Sequence, residues 1–302
     1  MDEEVGDAAA LHVYAHMSRW AYASDPATMY ATLDRDPIDP ICEVEVEFFE
    51  GVQRAEAQFC AFLLTRDGRG CESELVVAFR GTHTLAGALV NIVPGSALVA
   101  LEPTSEGSEG SGARVHLGYF HHYGKVRDDV LATVRRFACT VKGTRITVVG
   151  HSMGGACASI CAFDLSRTIG DVGCATFGSP PVGNGAFCRE FRKRVAWSRR
   201  VVNDTDPAPL VEHLMINSHV GRAVVLPGSG TRFGGHDISS YIRNLGRLII
   251  PSPSPPRRPP GRPMFVSFRP SSGSSSSVNA VGGSAGAACR GGPRGPCSRP
   301  FA

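Results

Sequence analysis

Residues Ile146–Ala158, ITVVGHSMGGACA, constrain this chain more than any other stretch. They read as a buried strand (Ile146 to Val149), a sharp glycine-rich turn and a helix that opens with small residues. The turn, Gly150-His151-Ser152-Met153-Gly154, is a G-x-S-x-G match. In a turn of this kind the serine sits between strand and helix, and glycines flank it because a Cβ would strike the neighbouring backbone. The following helix aims its dipole and free N–H groups at the serine oxygen. A second match, Gly282-Gly283-Ser284-Ala285-Gly286, lies in a Ser/Gly/Pro tract with no strand before it and no apolar helix after it. Context discards it, and Ser152 is the candidate nucleophile.

A serine needs a general base within hydrogen-bond reach, and the base needs a carboxylate to fix its tautomer. Where the nucleophile sits on a strand-to-helix turn of an α/β sheet, the chain order is Ser, then Asp or Glu, then His, each on a loop after a strand. Asp206 follows the expected strand RRVVN, and His236 lies in a glycine-flanked turn after the last expected strand. Asp204 lies two residues from Asp206, and periodicity does not separate the two. His213 and His219 follow Asp206 but precede the last strand. His116, His121, His122 and His151 precede or flank the serine and read as structural. The oxyanion needs two N–H donors. Met153, next after the nucleophile, offers one. The turn Arg80-Gly81-Thr82 at the end of an early strand offers the other through Thr82.

Around these residues the chain alternates strand and helix signals. Strands are expected at Cys42–Glu50, Gln58–Thr65, Glu74–Phe79, Ile146–Val149, Cys174–Phe177, Arg199–Asn203 and Ala223–Leu226. Helices are expected over 8–31, breaking at Pro26, then Tyr119–Phe137, the elbow helix to about Thr168, Ala186–Val195 and Ile238–Ile250. This is an α/β chain with a mostly parallel central sheet and helices on both faces. Residues 84–115 form a long connection, apolar in its first half and soluble in its second.

Composition separates the two ends. Of 302 residues 42% are hydrophobic, enough for one substantial core. The formal charge is +3, but the last 52 residues carry seven arginines and no acid, which leaves residues 1–250 at −4. Nothing in the folded part points to nucleic acid. The domain is therefore drawn at 1–250. Residues 251–302 hold 11 of the 21 prolines with long Ser and Gly runs, and are expected to be a disordered tail. The ten cysteines form no C-x-x-C pair, and Cys157 and Cys161 read as reduced core residues. The acidic start MDEEVGDAAA lacks a basic and an apolar region, and no run is long enough to span a membrane. Together these predict a cytoplasmic protein, peripheral to membranes at most. No metal or organic cofactor is called for.

Several segments taken in order resemble the class 3 (fungal-type) triacylglycerol lipases: VVAFRGTHT (76–84), VHLGYFHHYGKVRDDV (115–130), ITVVGHSMGGACA (146–158), TFGSPPVGNGAFCREF (176–191), RVVNDTDPAPL (200–210), SHVGRAVVL (218–226) and GHDISSYI (235–242). The resemblance implies the α/β-hydrolase fold, with Ser152 as nucleophile, Asp206 as acid (the pattern Val-Asn-x-x-Asp-x-x-Pro falls on Val202 to Pro209) and His236 as base, in a His-x-x-x-x-Tyr pattern ending at Tyr241. His219 falls on a structural His-Val-Gly segment. Thr82 and Met153 become the oxyanion donors, and residues 84–101 the lid. At the positions where the family's lid usually carries Trp and Asp, this chain has Ala88 and Asn91, and Pro181 replaces a usual Arg. The implied activity is hydrolysis of lipid acyl esters (tri-, di- or monoacylglycerol) at a membrane or droplet surface. The alternatives are a phospholipase A1 or galactolipid lipase with the same triad, and a non-catalytic lipase-like binding module.

Overall fold

The computed structural model describes residues 2–23, 28, 44–54, 57–66, 73–82, 98–100, 112–140, 145–209, 218–227 and 234–249. All belong to the first of two units of the chain, Met1–Phe268. The expected tail, 251–302, lies outside the described residues, as does most of the expected lid.

Nine strands are described: β1 (Val44–Arg54), β2 (Ala57–Arg66), β3 (Ser73–Phe79), β4 (Leu98–Ala100), β5 (Arg114–His116), β6 (Arg145–His151), β7 (Val172–Phe177), β8 (Trp197–Asn203) and β9 (Arg222–Leu226). Seven of them make one sheet in the order β1-β2-β3-β6-β7-β8-β9. The pairs β1–β2 and β2–β3 run antiparallel; every pair from β3–β6 to β8–β9 runs parallel. The expectation of a mostly parallel sheet holds. The central strands are continuous apolar runs because both of their faces are covered. In β7, VGCATF, every residue is buried.

The helices are α1 (Asp2–Trp20), α2 (Leu117–Gly124), α3 (Arg127–Thr140), α4 (Met153–Ser166), α5 (Gly185–Arg194) and α6 (Ile238–Gly246). Successive strand side chains point to opposite faces, and the two faces have separate cores. Leu75, Val77 and Phe79 of β3 join Ile146 and Val148 of β6 on one face, under Tyr123, Val130, Phe163 and Phe187 of α2 to α5. Val76, Ala78 and Val149 face the other way, under Leu11, Met17 and Trp20 of α1 and Tyr241 and Leu245 of α6. Helix α4 is buried nearly all round, which suits its run of small residues between sheet and α2.

Two elements differ from expectation. The single helix over Tyr119–Phe137 is two, broken between Gly124 and Arg127. Gly124 is a poor helix former, and the turn beyond it lets Tyr123 and Arg127 both reach Asp164 of α4, at 2.8 and 2.7 Å. The connection 84–115 contains short strands: β4 pairs antiparallel with β5 in a separate two-stranded sheet. Three residues are too few for alternation to register in a sequence. Cys60, Cys157, Cys161, Cys174 and Cys188 are buried free thiols. Among the described residues no helix is long and apolar enough to cross a membrane.

Parallel strands put their C-terminal ends on one edge of a sheet, and loops at that edge build sites. Thr82 follows β3, Ser152 follows β6, Asp206 follows β8 and His236 follows β9. Four segments far apart in the chain thereby meet at one edge.

Candidate active site

Ser152 sits between β6 and α4 with φ 57° and ψ −130°, a conformation that non-glycine residues rarely adopt. Holding it costs about 1–3 kcal/mol, so the surroundings must impose it. The Ser152 N–H donates to the Phe177 carbonyl of β7 at 2.9 Å, and its carbonyl accepts from the Gly155 N–H at 2.9 Å. The flanking glycines are steric necessities. A Cβ at Gly150 would lie 2.3 Å from the Gly154 carbonyl oxygen, and one at Gly154 would lie 2.3 Å from the Phe79 carbonyl oxygen. Met153 is the first residue of α4, so its N–H has no partner within the helix.

His236 ends a short 3-10 turn, Gly234–His236. Its Nε2 lies 2.9 Å from Ser152 Oγ, and its Nδ1 lies 2.9 Å from both carboxylate oxygens of Asp206. An ionised carboxylate only accepts, so Nδ1 carries the proton and Nε2 presents its lone pair to the serine hydroxyl. All three residues are buried. Asp206 also accepts from the Ala208 N–H at 2.8 Å and from the Tyr241 hydroxyl at 2.5 Å. Burial holds the Tyr241 hydroxyl well above its ordinary pKa, so it remains a donor. The loop is tied down by Asn203, whose amide donates to the Gly235 carbonyl at 2.7 Å and accepts from Asn244 at 3.0 Å.

Gly178 makes room for this network. It follows β7 with φ +57°, and a Cβ there would lie 2.6 Å from Asp206 Oδ2, 2.9 Å from the Tyr241 hydroxyl and 3.3 Å from His236 Nδ1. Gly178→Ala is therefore expected to destabilise the fold by about 1–3 kcal/mol, from the left-handed backbone alone. It should also lower ester turnover, by displacing the carboxylate from the imidazole. Thermal unfolding and steady-state kinetics on one preparation check both.

The Arg80-Gly81-Thr82 turn lies against the serine: a Cβ built on Gly81 would be 3.3 Å from Ser152 Cβ. Arg80 anchors it. Its guanidinium donates to Gln58 Oε1 at 3.0 Å, and Gln58 Nε2 donates to the Ala23 carbonyl at 2.7 Å. Thr82 is half-buried here.

His151 has a definite place. Its Nε2 is 2.6 Å from the His236 carbonyl oxygen and its Nδ1 is 2.8 Å from the Tyr22 hydroxyl. Burial, aided by the adjacent His236, pushes its pKa down to about 3, so the ring is neutral at any ordinary pH. The other candidates stand apart. His116 caps α2 by accepting from the Gly118 N–H, His121 and His122 lie on that helix, and His219 faces the Pro209 carbonyl at 2.9 Å. Asp204 is exposed. His213, Ala88 and Asn91 lie outside the described residues. Among the described residues no group of three or more His, Cys, Asp or Glu side chains is arranged to hold a metal ion. Sequence reasoning attached no role to Gly178, Tyr22 or Asn203, and used Tyr241 only as the end of a pattern. Each acts through a tertiary contact, or the room for one, that spacing does not encode.

Comparison with known proteins places lipases beside this chain. Residues 76–215 match the model of the family described as lipase (class 3). A secreted mono- and diacylglycerol lipase 2 from Gibberella zeae is 31% identical over 51% of this chain and 44% of its own length. A secreted mono- and diacylglycerol lipase LIP4 from Malassezia restricta is 29% identical over 45% of this chain and 46% of its own. A phospholipase A1 EG1, chloroplastic/mitochondrial, from rice is 27% identical over 57% and 47%. The chain thus spans under half the length of these curated relatives. The solved structure of Yarrowia lipolytica LIP2 lipase superposes with a TM-score of 0.60 at 19% identity, covering 75% of this chain and 81% of that one. The fold is that of the α/β-hydrolases. Through residues 76–215 the chain is similar to the class 3 lipase family. One expectation is overturned: a cytoplasmic location does not stand beside relatives named as secreted. The acidic N-terminus was a poor guide because the start of a chain says nothing about what could precede it.

Proposed function

We propose that this chain is a serine hydrolase of lipid acyl esters, acting on mono-, di- or triacylglycerols. The observation that carries this reading is the unbroken hydrogen-bond series from Ser152 Oγ through the His236 ring to Asp206, each step 2.9 Å. Ser152 Oγ attacks the acyl carbonyl carbon while His236 Nε2 takes its proton. Asp206 holds the ring by Nδ1 and stabilises the imidazolium. The negative charge on the former carbonyl oxygen is met by the N–H groups of Thr82 and Met153. Collapse expels the alcohol, which leaves with the proton from His236 Nε2. Water then attacks the acyl-enzyme, giving up its proton to His236, and the fatty acid and free serine are regenerated.

The relatives named as mono- and diacylglycerol lipases favour acylglycerols as substrates, and their being named as secreted favours an extracellular setting. Residues 84–101 are proposed as a lid that opens at a droplet or membrane surface. Residues 1–250 are proposed as the catalytic domain and 251–302 as a solvated tail. The rice phospholipase A1 relative favours a second reading, acyl cleavage from a phospholipid by the same residues. A panel of emulsified mono-, di- and triacylglycerols against phosphatidylcholine and galactolipid vesicles separates them. Faster turnover of acylglycerols is the expected result. Release from phospholipid alone selects the second reading, and no fatty acid from any of them refutes both.

A further inference from the structure

We propose that Tyr22 and His151 form a positioning relay, in which one hydroxyl clamps the oxyanion turn and, through His151, the backbone of the general base. The inference rests on the hydrolase reading above.

Tyr22 stands just past the C-terminus of α1, in a turn closed by its N–H donating to the Arg19 carbonyl at 3.0 Å. Its hydroxyl lies where a Gly81 side chain would be, 2.3 Å from that ideal Cβ. The Gly81 N–H is aimed at its oxygen. The same hydroxyl lies 2.8 Å from His151 Nδ1. The proton positions follow from elementary acceptor rules. The His236 carbonyl can only accept, so His151 Nε2 carries the ring proton and donates across 2.6 Å. His151 Nδ1 is then the acceptor and Tyr22 the donor. Burial raises the Tyr22 pKa, so the hydroxyl keeps its proton. A neutral His151 also avoids a second positive charge beside His236, whose ring centroid is 4.9 Å away.

The consequence is geometric. Thr82, the residue after Gly81, and His236 come from loops after β3 and β9, four places apart in the sheet yet required to act on one substrate carbonyl. The Gly81–Tyr22–His151–His236 series ties both loops to α1 with no dependence on substrate. A displacement of about 1 Å at such a site can cost on the order of a hundredfold in rate, so a relay that fixes both loops acts on kcat. His151 is itself part of the elbow, so Ser152 shares the frame.

The test uses the full chain with a soluble p-nitrophenyl ester, each variant's active sites counted by stoichiometric fluorophosphonate labelling. His151→Phe removes both relay bonds and should lower kcat per labelled site by about a hundredfold, with KM changed less than about threefold. Tyr22→Phe removes one oxygen and should lower kcat by about tenfold. His151→Gln keeps an N–H donor within reach of the His236 carbonyl and should recover at least about tenfold over His151→Phe. A pair that only stabilised the fold would lower the labelled fraction or the melting temperature and leave kcat per labelled site intact. Turnover per site within about twofold of wild type in both Phe variants overturns the relay; if His151→Phe does not fold, Tyr22→Phe decides alone. An unlabelled, inactive wild type is a separate outcome, which overturns the hydrolase reading beneath it.

Discussion

Replacing Ser152 by alanine is expected to lower ester turnover by about a millionfold without unfolding the protein. The nucleophile's oxygen is the only atom removed, and no alternative hydroxyl approaches His236 Nε2 among the described contacts. The fold should not change because the serine's structural contacts are made by its backbone, to Phe177 and Gly155. The strained φ of 57° stays strained in alanine, which keeps the Cβ. Ser152→Gly should differ: it loses activity equally but relieves the backbone, and so raises the melting temperature relative to Ser152→Ala. Hydrolysis of a p-nitrophenyl ester, followed beside circular-dichroism melts, reads both quantities. Turnover near wild type in Ser152→Ala would reject the assignment.

The second large effect is at Asp206. Asp206→Asn is nearly isosteric, and with its oxygen in the Oδ1 place it still accepts from the Ala208 N–H, while its NH2 takes the Oδ2 place beside the Tyr241 hydroxyl. What changes is one of the two atoms that face the imidazole at 2.9 Å. An amide NH2 cannot accept from Nδ1–H, so the ring takes the other tautomer and turns a protonated Nε2 toward Ser152. The base is then unable to receive the serine proton, and kcat should fall by about ten-thousandfold. Part of the loss should return at high pH, where hydroxide can replace the missing base. A kcat profile from pH 6 to 10 reads this. A loss under tenfold at neutral pH would mean that Asp206 does not set the tautomer.

The architecture was largely legible because its signals are strong and local. All seven strands of the main sheet overlap segments expected as strands, and the signal was strongest in β3, β6 and β7, which are buried on both faces and so leave continuous hydrophobic segments. The elbow was legible because Gly150 and Gly154 are demanded by clashes with backbone only 2.3 Å away, and a steric demand of that size leaves its mark on residue type. His236 was separable from His213 and His219 by chain order, and the geometry gives that order its reason: the loops that carry Asp206 and His236 follow the C-terminal ends of parallel strands.

What escaped was tertiary. Asp204 and Asp206 share a periodicity, and only the turn after β8, with the Asp206 N–H on the Asn203 carbonyl at 3.0 Å, points one inward and leaves the other exposed. Gly178 looked like one glycine among 35, and its need becomes visible only when Asp206, Tyr241 and His236 arrive from three other segments. Tyr22 lay within the helix expected over 8–31. Its hydroxyl has a partner only because α1 ends beside the Gly81 turn, and a stripe of apolar and aromatic residues carries no record of that meeting.

Labelling the folded, full-length chain with a fluorophosphonate and mapping the adduct by mass spectrometry tests the central claim most directly. The account predicts one adduct per chain, on Ser152, blocked by prior acylation with a slow ester and lost in His236→Ala while the fold persists. An adduct on another residue, or a folded wild-type protein that takes up no label, would contradict it.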